Sequence, residues 1–220
     1  MMAGMQHRTR IKICGLTREA DVDAAVEAGA DALGFVLWPG SARHLTVERA
    51  AVLAQRLPPF VTPVLLFVNA TPTEIGVALA AVPQGVPQFH GDETPAACRA
   101  AGRVYLRAAR VSPGFDLINF EARFGDAQAL LLDAHVEGYG GAGKVFDWSL
   151  LQGQRQSVRL PLVLSGGLSP ANVIDGIHRV RPWAVDVSSG VEASKGVKDA
   201  ALMRRFCQAV RQADQALATT

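Results

Sequence analysis

Short runs of apolar, β-favouring residues alternate along this chain with stretches in which apolar residues recur at helical spacing. Eight such pairs can be counted, with strands predicted over 10–14, 31–36, 61–68, 86–89, 104–108, 129–132, 162–164 and 184–187. A helix is expected over 17–28, opening on Thr17 as a cap and closing at Gly29, and another over 47–56 behind Thr46. Further helices are expected to start near Thr71, Glu93, Asp116, Asp147, Pro170 and Val197. Pro72, Pro95 and Pro170 follow Thr71, Thr94 and Ser169, the cap-then-proline order that favours a first helical turn.

Strands apolar on both faces belong to a parallel sheet covered by helices, either an open doubly wound sheet or a closed barrel. Periodicity does not choose between them, but the unusual polar residues do, because almost every one falls at the C-terminal end of a predicted strand. In a barrel those ends converge on one mouth, whereas an open sheet spreads them along a line. The expected fold is therefore a single (β/α)8 TIM barrel over 10–214, with a flexible leader at 1–9 and a frayed end at 215–220.

Composition narrows the class. The chain has 220 residues, 49% hydrophobic and 19% charged, too apolar for disorder. It contains no apolar run of about eighteen residues that would span a bilayer. With 22 Lys and Arg against 20 Asp and Glu and no block of like charge, neither a nucleic-acid face nor a membrane surface is expected, and any anionic partner is small. Three cysteines without a CxxC pair indicate neither a disulfide framework nor a zinc cage. A reducing, cytoplasmic setting fits, no cofactor or metal is expected, and the oligomeric state, monomer or homodimer, stays open.

At the first strand end, Lys12 and Cys14 share a face by the two-residue period while Ile11 and Ile13 point away. The lysine ammonium favours the thiolate, the form that accepts a proton. A free cysteine is also often a small buried hydrophobe, which is the reading for Cys98 and Cys207 in mid-helix. Arg43, in the loop after the second strand, has a guanidinium suited to a planar carboxylate. Gln88 and His90 stand at the fourth strand end, His90 as a proton carrier or a structural histidine. Asp133 directly follows three leucines at the sixth, a setting in which a carboxyl group can hold a proton for general-acid work. The glycine run from Gly138 to Gly143 reads as a lid or a backbone approach to ligand. After the last two strands come Ser165-Gly166-Gly167 and Ser188-Ser189-Gly190, small residues in the two slots where such barrels commonly bind phosphate through backbone N–H groups.

Taken together, Lys12-Ile13-Cys14-Gly15-Leu16-Thr17, Gln88-Phe89-His90-Gly91, Leu131-Leu132-Asp133, Gly140-Gly141-Ala142-Gly143 with Phe146-Asp147-Trp148, Leu164-Ser165-Gly166-Gly167-Leu168 and Val185-Asp186-Val187-Ser188-Ser189-Gly190-Val191-Glu192 resemble the phosphoribosylanthranilate isomerases of tryptophan biosynthesis. The likeness runs from about Ile11 to Val210. Related phosphate-binding barrels share the late glycine loops but not the early cysteine strand. The resemblance implies that Cys14 is the general base, Asp133 the general acid and Arg43 the holder of the anthranilate carboxylate. It also implies a phosphosugar gripped through backbone near Gly141, Gly143, Gly166, Gly167, Ser188, Ser189 and Gly190, with Gln88, His90 and Asp186 among the substrate-binding positions. Departures at Phe89, Ala134 and Ala142, where Leu, Thr or Ser, and Thr are commoner, touch packing or a secondary hydroxyl. Two alternatives remain at this point. One is a histidine-pathway phosphosugar isomerase on the same barrel, in which a carboxylate would be expected in place of Cys14. The other is a non-catalytic phosphate-binding barrel, which needs neither Cys14 nor Asp133.

Overall fold

A computed structural model describes residues 8–134, 147–151 and 153–218. Eight parallel strands close on themselves in chain order: β1 (Arg10–Cys14), β2 (Ala32–Val36), β3 (Thr62–Phe67), β4 (Val86–Phe89), β5 (Leu106–Val111), β6 (Ala129–Ala134), β7 (Leu162–Leu164) and β8 (Ala184–Val187). Closure is made by β8 against β1, with Lys12 paired to Asp186 and Ile13 to Val187. Around the barrel lie α1 (Glu19–Ala28), α2 (Val47–Ala54), α3 (Pro72–Ala81), α4 (Pro95–Ala100), α5 (Leu117–Arg123), α6 (Val173–Val180) and α7 (Ala200–Ala218). A short antiparallel hairpin, β9 (Glu192–Ser194) and β10 (Val197–Lys198), interrupts the path from β8 to α7. No helix among the described residues is long and apolar enough to cross a membrane.

Side-chain alternation sorts the strands into two layers. Outward-facing Ile11, Ile13, Leu33, Phe35, Leu130 and Leu132 join the helices in one continuous core. Each fully buried side chain of this size stabilises the fold by about 1.5–3 kcal/mol relative to exposure. Inward, Ala108, Ala129, Leu131, Val163 and Ala184 plug the lower barrel with small and branched groups, and Cys14, Val36, Leu66 and Val68 form a separate apolar ring nearer the mouth.

Several local expectations hold and several move. Thr46, Thr71, Thr94 and Asp116 each accept a backbone N–H from the first turn of their helices, and Thr71 forms a full capping box with Glu74. Thr17 is not a cap: α1 begins behind Arg18, and the Thr17 hydroxyl donates instead to the carbonyl of Gly196 at 2.7 Å. Pro170 does not open a helix, since α6 starts at Val173. The helix expected near Asp147 is replaced by two 3₁₀ turns, Trp148–Leu151 and Arg155–Ser157. The fifth strand lies two to three residues later than expected because Arg110 and Val111 still pair with Asp133 and Ala134 of β6, and it includes Arg107 as expected. The buried Arg107 guanidinium donates to the carbonyls of Phe89 and Gly91 and pairs with Glu93 at 3.2 Å, which makes a charged strand residue tolerable in the helix-facing layer. Both ends of the barrel unit also move outward: Thr9 is buried and bonds the Asp214 carboxylate through its N–H and hydroxyl, and α7 continues to Ala218.

Candidate active site

Because β1 alternates as expected, Lys12 and Cys14 both enter the barrel while Ile11 and Ile13 pack outward. Lys12, directly opposite Asp186 across the β1–β8 seam, donates to its Oδ1 at 2.8 Å, and the Ser165 hydroxyl donates to Oδ2 at 3.3 Å. Asp186 is thereby committed to Lys12, and burial costs neither group its partner. Burial alone would depress the Lys12 pKa, but the charge of Asp186, together with the hydrogen bond to it, leads the effects that outweigh burial and hold the ammonium above its ordinary range. For Cys14 the balance runs the other way. Burial raises the thiol pKa more than Lys12 and Lys198 lower it, so the expected preference for thiolate is overridden, and the group rests as a thiol at neutral pH.

On the far side of the mouth, Asp133 shares the inward face of β6 with Leu131. Its Oδ2 lies 3.1 Å from His90 Nε2, and Oδ1 accepts the N–H of Ala134 at 2.9 Å. His90 Nδ1 in turn meets Gln88 Nε2 at 3.0 Å, so Gln88, His90 and Asp133 form one buried chain. Gln88 Oε1 finds no partner among the described residues. Gly166 is required here: a Cβ at this position would stand 2.8 Å from Asp133 Oδ1 and 2.5 Å from the Ala134 nitrogen, and its φ of +80° is left-handed.

Gly166 and Gly167 lie in the turn after β7, and Ser188, Ser189 and Gly190 in the loop after β8, where Ser189–Val191 is a 3₁₀ turn. These two loops touch, since a side chain on Gly190 would collide with the carbonyl of Leu168. Gly141 and Gly143, with the rest of the 138–143 glycine run, lie outside the described residues.

Arg43 is buried at the mouth, but the side edge of its guanidinium is already taken. Nε and Nη2 donate to Glu192 Oε1 and Oε2 at 2.7 and 2.8 Å. Glu192 also receives Lys198 Nζ at 2.9 Å, and the same ammonium donates to the Ser188 carbonyl at 3.0 Å. Burial pushes the Glu192 pKa up, but the two cations more than reverse it and leave it below the usual carboxylate range. The Lys198 pKa is depressed by burial, with Glu192 opposing. Sequence reading assigned nothing to Glu192 or Lys198 and expected a helix at Val197. The missed signal was Lys195-Gly196, a two-residue turn with glycine at positive φ that closes the β9–β10 hairpin and swings both side chains to the mouth.

Comparison with known proteins agrees with this fold. The family model described as N-(5'phosphoribosyl)anthranilate (PRA) isomerase matches residues 11–209. An N-(5'-phosphoribosyl)anthranilate isomerase of Methylibium petroleiphilum is 68% identical over 97% of this chain and 99% of its own length. The crystal structure of phosphoribosyl anthranilate isomerase from Thermotoga maritima superposes with a TM-score of 0.84 at 42% identity, covering 93% of this chain and 99% of that one. A phosphoribosyl anthranilate isomerase crystallised with reduced 1-(o-carboxyphenylamino)-1-deoxyribulose 5-phosphate gives a TM-score of 0.81 at 39% identity, with the same coverage. A match spanning nearly the whole barrel, together with relatives this similar at full length, means that the chain belongs to the N-(5'-phosphoribosyl)anthranilate isomerase family.

Proposed function

We propose that this barrel converts N-(5-phosphoribosyl)anthranilate to 1-(2-carboxyphenylamino)-1-deoxyribulose 5-phosphate by an Amadori rearrangement, the isomerase step of tryptophan biosynthesis, with Asp133 as general acid and Cys14 as general base. The observation that carries the role assignment is the placement of the two groups: each ends an inward-facing strand row, Cys14 on β1 and Asp133 on β6, at one mouth.

Protonation of the ribose ring oxygen by Asp133 opens the furanose and leaves an iminium at C1. That cation acidifies the C2–H bond. The Cys14 sulfur takes the C2 proton, and the resulting enolamine tautomerises to the aminoketose. Cys14 rests as a thiol, so its proton passes to solvent before it can act as the base; Lys12 beside it and the cation forming at C1 both favour the thiolate as the reaction proceeds. His90 orients the Asp133 carboxyl, and Gln88 sets the imidazole tautomer. With the Gln88 amide turned so that Oε1 accepts from Nδ1–H, Nε2 becomes an acceptor for a proton held on Asp133, the arrangement that general-acid work needs.

The ligand is a small phosphosugar. Its phosphate is assigned to the backbone of Gly166, Gly167, Ser188, Ser189 and Gly190, supported by their position after β7 and β8, and to Gly141 and Gly143. Arg43 receives the anthranilate carboxylate, and Asp186 acts through Lys12. All these groups come from one chain, so a monomer or each half of a homodimer is a complete catalytic unit, acting in the cytoplasm without nucleic acid or membrane. The test is turnover followed by loss of phosphoribosylanthranilate fluorescence. Cys14→Ala and Asp133→Ala are each expected to lose about 10²–10⁴ in rate. Full activity in either variant would overturn that residue's role, and binding without turnover by the wild type would make the barrel a sensor instead.

A further inference from the structure

Arg43 presents a physical problem that the assigned carboxylate alone does not solve. Its side edge is bonded by Glu192, and a guanidinium already paired with one carboxylate is a poor receptor for a second, because the pair is neutral and the two carboxylates repel. The hairpin supplies the answer. Lys198, which is fully buried, pairs with the same Glu192 oxygen that Arg43 Nε bonds, so the three side chains carry one net positive charge. The guanidinium has five N–H donors, of which Glu192 engages Nε and one on Nη2. The end-on fork, Nη1 with the second Nη2 hydrogen, is left to face a planar carboxylate.

We infer that Glu192 and Lys198 are positioning residues for substrate recognition: Glu192 holds Arg43 edge-on so that its end-on fork faces the ligand, and Lys198 cancels the Glu192 charge so that the fork stays cationic. This rests on the reading of Arg43 as the carboxylate holder and adds to it the reason that the holder retains its charge. It also makes the β9–β10 hairpin the specificity element for aromatic amines bearing an ortho carboxylate.

The experiment is calorimetric titration of the full chain with two probes, reduced 1-(o-carboxyphenylamino)-1-deoxyribulose 5-phosphate and the same compound lacking the carboxyl group. The wild type is expected to prefer the carboxylated probe. In Lys198→Met the uncompensated Glu192 charge should cut that preference by about tenfold or more; the decarboxylated probe, which registers any disturbance of the phosphate loop from losing the Lys198–Ser188 hydrogen bond, should lose less affinity than the carboxylated one. The double variant Lys198→Met/Glu192→Gln restores one net positive charge and should recover most of the preference, read as the ratio of the two affinities, which a loss of folded protein shared by both probes would leave unmoved. Equal loss for both probes in Lys198→Met, or no recovery in the double variant, overturns the inference. A wild type with no carboxylate preference overturns the Arg43 reading itself, and this inference with it.

Discussion

The two walls of the barrel mouth are built on different electrostatic plans. The wall made by β1, β8, the loop after β2 and the β9–β10 hairpin holds Lys12, Asp186, Arg43, Glu192 and Lys198, all shielded from solvent and each ionic group bonded to an opposite charge. The facing wall, from β4 and β6, holds a single carboxyl group on an imidazole on an amide. The difference follows from the protons each wall must handle. A buried thiol gives up its proton only where cations stand by, and buried cations persist only if anions compensate them, so one base requires a network. An acid needs to be oriented and kept from water, which one hydrogen-bonded chain achieves.

The largest expected effect sharpens this contrast. Asp133→Asn keeps the shape of the acid wall but carries no transferable proton, and should lower kcat by about 10²–10⁴ with little change in melting temperature. Lys12→Met strikes the other wall and should cost both properties, because Asp186 is left as an uncompensated buried charge. Denaturant unfolding should show a loss of about 3–5 kcal/mol. Adding Asp186→Leu should return much of that stability but not the activity, separating the structural duty of the pair from its duty to Cys14. Of comparable size in stability, Leu131→Ala in the lower barrel should cost about 2–5 kcal/mol by opening a cavity. Active-site titration of the folded fraction should show its chemistry unimpaired.

The pH response is expected to be smaller and of fixed sign. With the Cys14 pKa raised by burial, the thiolate fraction of the free enzyme is low at neutrality, so kcat/KM should rise with pH through a point above the ordinary thiol range. Loss of Lys12 or Lys198 should move that rise to still higher pH. The smallest effect belongs to the surface. Glu19, bonded to Arg49 at 2.7 Å, has its pKa lowered to about 2, chiefly by that hydrogen bond. Its contribution is present above the ordinary carboxylate pKa and lost as pH falls toward about 2. The pair is exposed, so Arg49→Leu should leave the melting temperature at neutral pH almost unmoved.

How much of this was legible depended on whether the cause was local. Alternation at Lys12, Ile13 and Cys14 places side chains by geometry within one strand, and that placement holds. Threonine caps at Thr46, Thr71 and Thr94 hold for the same reason. The fifth strand runs past its expected end at Ala108 because Arg110 and Val111 still pair with Asp133 and Ala134 of β6, a partnership that no local pattern announces. Thr17 was read as a cap because nothing local announces that Gly196 would take its hydroxyl. The engagement of Arg43 was hidden most completely, since Glu192 stands 149 residues further along the chain and only barrel closure brings them together.

The central claim, that sulfur on β1 removes the C2 proton after the acid on β6 opens the ring, is tested most directly by single-turnover kinetics on substrate carrying deuterium at ribose C2. With proton removal limiting the chemical step, the wild type should turn over the deuterated substrate several times more slowly than the protiated one. Cys14→Ala, verified as folded, should fall by about 10²–10⁴ on both substrates. A Cys14→Ala enzyme that keeps the wild-type rate and the wild-type isotope effect would contradict the account.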